Sequence, residues 1–193
     1  MDQKTDTIHT SQQILDMAQQ LVQTRGFNAF SYGDIAEALH VTKASLHYHF
    51  TTKADLGVGL IERYEKRVEE ALAEIDRSGA GAAEKIRAYV RIYSEVLRDD
   101  RMCMCGMLAA EFATLPKPMQ SALDRYFDRN DQWLAAALEE GRRQGALRFS
   151  GAPADMAQFL IGSLEGAMML ARSHGGMARF DAATRRLLAE LGA

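Results

Sequence analysis

Residues 43–48, Lys-Ala-Ser-Leu-His-Tyr, carry side chains that can read another molecule. On a short helix of about Lys43 to His49, Lys43, Ala44, Ser45, His47 and Tyr48 face outward and Leu46 faces in. Small and hydrogen-bonding groups on one face suit entry into a DNA major groove, where base edges offer donors, acceptors and thymine methyls. A bland solvated face carries Glu and Lys instead. Lys53, near the start of the next helix, is placed to meet a phosphate. The second reactive group is sulfur: Cys103 and Cys105 in Met102-Cys-Met-Cys-Gly-Met107. Residues two apart on a helix point to opposite sides, which disfavours a disulfide, and two thiols at this spacing make only a weak metal claim. We find no nucleophile–base pair, metal triad or phosphate loop. No catalytic residue, metal or cofactor is therefore assigned, and the chain reads as not an enzyme.

The elements that must position Lys43–Tyr48 are written in residues 31–56. Ile35, Ala36 and Leu39 have the spacing of one buried helix face, and Val41, Leu46 and Phe50 supply the next. Leu39-His40-Val41-Thr42 has the length of a helix-turn-helix turn. Ser31 precedes Asp34, Thr42 precedes Ser45 and Thr52 precedes Asp55, each pair three residues apart. A hydroxyl at the N-cap satisfies an orphan N–H, and an acid in the first turn opposes the positive end of the helix dipole. Three helix starts so close together mean short helices with sharp corners.

With 193 residues, 47% of them hydrophobic and only three prolines, the chain can bury a real core and favours helix. It shows no signal peptide and no apolar run of the ~18 residues that a membrane span requires, so we expect a soluble, cytoplasmic protein without a membrane partner. The net charge of −3 is unhelpful to a DNA binder. Residues 1–55 hold Lys4, Arg25, Lys43 and Lys53 against Asp2, Asp6, Asp16, Asp34, Glu37 and Asp55. Binding to DNA must then use a local basic surface and backbone amides, and be modest and salt-sensitive away from a specific site.

The remaining pattern is helical throughout. Residues 1–7 read as frayed, followed by a helix from about Ile8 to Arg25 that Gly26 stops, with Phe27 and Phe30 packing under the helix-turn-helix. A long helix from about Thr52 to Asp76 breaks at Ser78–Gly81. Further helices are expected over about 83–97, within 102–114, over 119–144, from Pro153 to about Ser173, and over 181–191. The segment 157–171, AQFLIGSLEGAMMLA, is nearly all apolar, and Gly162 and Gly166 would let another helix approach closely. Glu165 is its one acid and should have a partner, because a buried carboxylate without one is costly.

The pattern IAEALHVTKASLHYHFTTKADL, with Ala18, Leu21, Gly26 and Phe27 before it, resembles the DNA-binding domain of TetR-family repressors. The resemblance runs from near Ile8 to about Leu60. It implies an all-α protein of about nine helices. An N-terminal three-helix helix-turn-helix domain spans 1–55, and a helical effector-binding and dimerisation domain spans 56–193. It also implies a homodimer whose recognition helices lie about 34–36 Å apart on a pseudo-palindromic operator of double-stranded DNA. Thr42, Tyr48 and Lys53, joined by Tyr32, would bind phosphates. Lys43, Ser45 and His47 would face base edges, and Ala44 a thymine methyl. His40 stands where many relatives have glycine, and His47 where many have tyrosine, so the operator preference does not carry over. The last two helices of each subunit would form a four-helix dimer interface, with Leu160, Gly162, Ser163 and Gly166 in it.

The segment from Met102 to Glu111 resembles a Gly-Cys-Leu-Leu-Gly-Asn-Leu-Ala-Ala-Glu stretch of a subset of that family. Cys103 falls on the cysteine, Gly106 on the second glycine and Glu111 on the acid. Met102 and Met107 replace the first glycine and the asparagine. Some relatives in this subset sense reactive electrophiles through a cysteine, and Arg98 and Arg101 lie near Cys103 in sequence. The main expectation is a small apolar or aromatic effector held among Tyr89, Tyr93, Cys103, Met104, Met107, Phe112, Phe127, Trp133 and Met168. Sensing of electrophiles or oxidants through Cys103 is the alternative. A helical interaction module that no longer binds DNA is the further one.

Overall fold

A computed structural model of the chain describes residues 3–192, with side chains from residue 10 onward. Among the described residues there are nine α-helices, one 3-10 turn and no strand. Helix α1 runs Gln3–Arg25, α2 Tyr32–Leu39, α3 Lys43–His49, α4 Lys53–Arg77 and α5 Ala82–Arg98. Helix α6 is Met104–Ala110, followed by the 3-10 turn Phe112–Thr114. Helix α7 is Lys117–Arg143, α8 Pro153–Ser173 and α9 Gly176–Leu191.

Two boundaries correct the sequence reading. Helix α1 begins at Gln3 rather than near Ile8, so residues 3–7 are helical and not frayed, while residues 1 and 2 lie outside the described residues. Helix α9 begins at Gly176 rather than Asp181. Gly175, at φ 92°, takes the left-handed conformation open to glycine and serves as the N-cap. The helix then resumes at once, which brings Phe180 onto its fully buried face.

The chain divides into two compact units. One holds the described residues through Lys66 together with Met104–Asp124. Its core is apolar: Ile14, Ala18 and Val22 of α1, Ile35 of α2, Leu46 of α3, Leu56 and Ile61 of α4, and Met104 of α6. Helix α1 packs on α2 and α6, and α2 packs on α3. The other unit holds Arg67–Cys103 and residues from Arg125 on. There α8 and α9 lie side by side, and both pack on α5 around Ile86, Tyr89, Leu160, Leu164, Met168 and Phe180. Lys85 ties this unit together by bridging Asp76 at 3.0 Å and Glu140 at 3.2 Å. Among the described residues no helix is long and apolar enough to cross a membrane.

Candidate nucleic-acid interface and helical core

All three caps expected between residues 31 and 55 are present. Ser31 and Asp34 form a reciprocal capping box at the start of α2. The Thr42 hydroxyl accepts from Ser45 N–H at 3.2 Å. At the start of α4, Asp55 Oδ2 accepts from Thr52 N–H at 2.9 Å. His40 closes α2 in the left-handed region, φ 54° and ψ 39°, where its N–H reaches the carbonyls of Ala36 and Glu37. This is the turn that reverses the chain between α2 and α3. The result is a helix whose Leu46 is fully buried while Lys43, Ala44 and His47 are exposed. Tyr48 is 78% exposed. Ser45 is half-buried beneath them.

Two of the expected phosphate ligands face inward instead. Tyr32 is buried, packs against His47 with the rings tilted and their centroids 4.7 Å apart, and donates its hydroxyl to Phe50 O at 2.8 Å. Burial, with the Asp55 charge second, pushes its hydroxyl up to about 12. Lys53 folds under the turn after α1. Its Nζ lies over the rings of Phe27 and Phe30, donates to Phe27 O at 2.5 Å and also reaches Phe30 O. Burial lowers the Lys53 ammonium below its ordinary range, against the opposing pull of Glu111 and Asp34. Two of the three N–H bonds of the ammonium are thus directed at backbone carbonyls of this turn rather than outward.

The same turn is held from the other side by Glu111, just beyond α6. Its carboxylate accepts from Phe27 N–H at 2.6 Å and Asn28 N–H at 3.1 Å, and Asn28 Nδ2 donates to Thr114 Oγ1 at 2.8 Å. Gly26 suits this turn by its backbone conformation, and a side chain there would also push the Glu111 carboxylate aside. Its φ is +93°, and a Cβ would sit 2.9 Å from Glu111 Oε1. The sequence shows Glu111 as an acid ending an apolar stretch, with nothing local to reveal partners more than 80 residues away.

In the second unit, Tyr89 and Tyr93 of α5 are buried with their hydroxyl oxygens 3.3 Å apart. Tyr89 also donates to Asn130 Oδ1 of α7 at 3.3 Å, and Asn130 donates to Tyr126 O at 2.8 Å. Trp133 stacks on Tyr89, centroids 5.7 Å apart, and its indole N–H donates to Asp76 at 2.9 Å. Phe127 meets Tyr126 edge to face, and Met168 is fully buried. Cys103, immediately before α6, is buried and hydrogen-bonds the Glu165 carboxyl, while Glu165 Oε1 is buried without a partner. Burial raises the Glu165 carboxyl to about 7 against the opposing Cys103 bond. Of the nine candidate effector contacts, Tyr89, Tyr93, Cys103, Phe127, Trp133 and Met168 belong to this unit. Met104, Met107 and Phe112 belong to the first, where Met104 is core and Phe112 is exposed. Neither cysteine is in a disulfide. Among the described residues no cluster of three metal-ligating side chains occurs.

Helix α8 splits the expected dimer residues. Leu160 faces the monomer core at 1% exposure, which corrects its placement in an interface. Gly162 is exposed and Gly166 and Ser163 are half-exposed; a Cβ at either glycine would meet nothing within 4 Å. Phe159, Met169 and Leu170 are large apolar side chains exposed on the same helix.

Comparison with known proteins gives consistent matches. Residues 14–57 match the family model described as bacterial regulatory proteins, tetR family, and residues 82–187 match the one described as tetracyclin repressor-like, C-terminal domain. The chain is 30% identical over 170 residues to the HTH-type transcriptional repressor NemR of Escherichia coli strain K12, covering 84% of each. A TetR-family transcriptional regulator from Agrobacterium tumefaciens superposes with a TM-score of 0.93 at 33% identity, covering 97% of this chain and 100% of the other. The reduced form of Escherichia coli NemR superposes with a TM-score of 0.80 at 27% identity, covering 94% and 97%.

Proposed function

The chain belongs to the TetR family of bacterial regulatory proteins, and from that premise we propose that it is a cytoplasmic homodimeric repressor released from its operator by a small apolar or aromatic effector. Residues 1–55 form the DNA-binding domain and 56–193 the effector-binding and dimerisation domain. The observation that carries this reading is the outward face of α3. An aromatic as exposed as Tyr48, next to Lys43 and His47 on a doubly capped helix, leaves apolar and hydrogen-bonding surface uncovered unless a partner takes it. Lys43, Ser45 and His47 face base edges, Ala44 a thymine methyl, and Thr42 and Tyr48 phosphates. Tyr32 and Lys53 act one layer back, by holding the turn. Effector binding favours a state with the half-sites wrongly spaced, and a coupling of about 1–3 kcal/mol changes operator affinity about 5–150-fold.

The test is a gel shift on DNA from the protein's own upstream region. Lys43→Ala combined with Tyr48→Ala should weaken the shift at least about tenfold, since each lost contact is worth about 1–3 kcal/mol. An unchanged affinity sinks the assignment. A second reading has two observations in its favour: Cys103 lies at the entry to α6, and the similar Escherichia coli NemR structure is of a reduced form. Adding a thiol-reactive electrophile to the same assay decides it. Release that is reversed by reductant and abolished by Cys103→Ser supports thiol sensing, and release that survives Cys103→Ser removes it.

A further inference from the structure

The core around Tyr89 contains a chain of polar groups in a largely apolar bundle. Tyr93, Tyr89, Asn130 and the Tyr126 carbonyl form a continuous relay. Glu165 reaches Cys103. Glu165 Oε1, by contrast, is fully buried and accepts from nothing. Burial offsets part of the cost of this orphaned oxygen by favouring the neutral acid, but once Glu165 is ionised, above about pH 7, the atom points to a donor that arrives from outside. The electrostatic neighbours of the acid and the tyrosine pair are Tyr89 and Tyr93 of α5, Asp131 of α7 and the Cys103 thiol before α6. Among the described residues, no lysine or arginine contributes to the Glu165 shift. The surroundings are therefore aromatic and acidic, with Trp133 stacked on Tyr89 extending the ring surface.

We propose that the effector carries a protonated amine, which donates to Glu165 Oε1 while its apolar part lies against the Tyr89, Tyr93 and Trp133 rings. This rests on the reading of the second unit as effector-responsive, and it specifies the chemical class. An ammonium supplies the missing N–H donor, neutralises the buried carboxylate and is attracted to the negative ring faces. A neutral apolar molecule would leave Oε1 as it is. A carboxylate or phosphate would meet like charge.

The probe pair is benzylamine and its neutral analogue benzyl alcohol, titrated calorimetrically into the full-length protein. Benzylamine should bind the wild type at pH 8 and bind Glu165→Gln about 10- to 100-fold more weakly, the worth of one charge-assisted hydrogen bond. Benzyl alcohol should bind both proteins equally weakly. Wild type alone supplies a second readout if the variant folds poorly. Benzylamine affinity should fall from pH 8 to pH 5.5 as Glu165 takes up a proton, because the amine stays charged throughout. If the two probes bind alike and Glu165→Gln changes neither, the amine class is wrong while a neutral apolar effector survives. Binding of neither probe overturns the inference, and the operator-release assay then judges the effector reading separately.

Discussion

Lys53 and Tyr32 are the residues whose chemical type misleads. A lysine at the first turn of a helix in a DNA-reading head suggests a phosphate contact, yet Lys53 donates inward to Phe27 O and lies over two rings. Replacing it by methionine should lower the melting temperature of the protein. The slope of log affinity for operator against log salt should stay unchanged, whereas losing a true phosphate contact would flatten it by about 1. A flattened slope would restore Lys53 to the interface. Glu165 gives a prediction in pH. Its folded-state pKa, about 7, lies above the ordinary glutamate value. Between roughly pH 4.5 and 7 the folded protein holds a proton that the unfolded chain has released, so stability falls as pH rises through that window and levels off above it. The contribution is on the order of 3 kcal/mol at most. Thermal melts of Glu165→Gln should lack this component, so the variant gains on the wild type from pH 5 to pH 8. Parallel pH profiles would refute the buried-acid account.

At the scale of elements, the helix-turn-helix was legible because its signals are local. Ser31, Thr42 and Thr52 each announce a helix within three residues of the group they cap, and the buried faces of α2 and α3 recur at helical spacing. The start of α9 was misread for the complementary reason. Gly175-Gly176 reads as a stop, and only the packing of Phe180 shows that the second glycine already belongs to the next helix. The tie between the end of α6 and the turn after α1 had no local signal at all. Glu111 binds two consecutive backbone N–H groups there, an arrangement that orders a turn with no side-chain cap of its own. Glu111→Ala should cost about 1.5–3 kcal/mol by urea denaturation, the range for hydrogen bonds to a charged group. Hydrogen exchange at the Phe27 and Asn28 amides should accelerate more than at α3. Unchanged exchange at those two amides would show that the carboxylate is dispensable.

For the whole molecule, the decisive surface is the outer side of α8. Phe159 is 58% exposed and Met169 and Leu170 are about half exposed, beside two glycines with open space above them. Contiguous apolar exposure of this kind marks an association surface. On the proposed reading as a homodimer, a second copy of the chain would cover it, and glycines four residues apart would allow close helix approach. Phe159→Glu would place a charge in the centre of that contact. Sedimentation should then report a monomer, with operator affinity falling together with dimer content, since two linked half-site contacts are needed for tight binding. A Phe159→Glu protein that remains dimeric would move the interface elsewhere.

What the sequence determined by itself was the all-helical class, the three capped starts of the DNA-reading head and the outward identity of Lys43, Ala44, His47 and Tyr48. Those depend on neighbours within one turn of helix, which periodicity and capping record. Only the tertiary structure decided that Tyr32 and Lys53 turn inward, that Leu160 joins the monomer core, that Glu111 holds the turn after α1, and that Glu165 meets Cys103. Each of those outcomes depends on which distant segment comes to lie against the residue. The same lysine or glutamate side chain is a surface charge or an internal tie according to whether unsatisfied backbone groups or water stand within its reach.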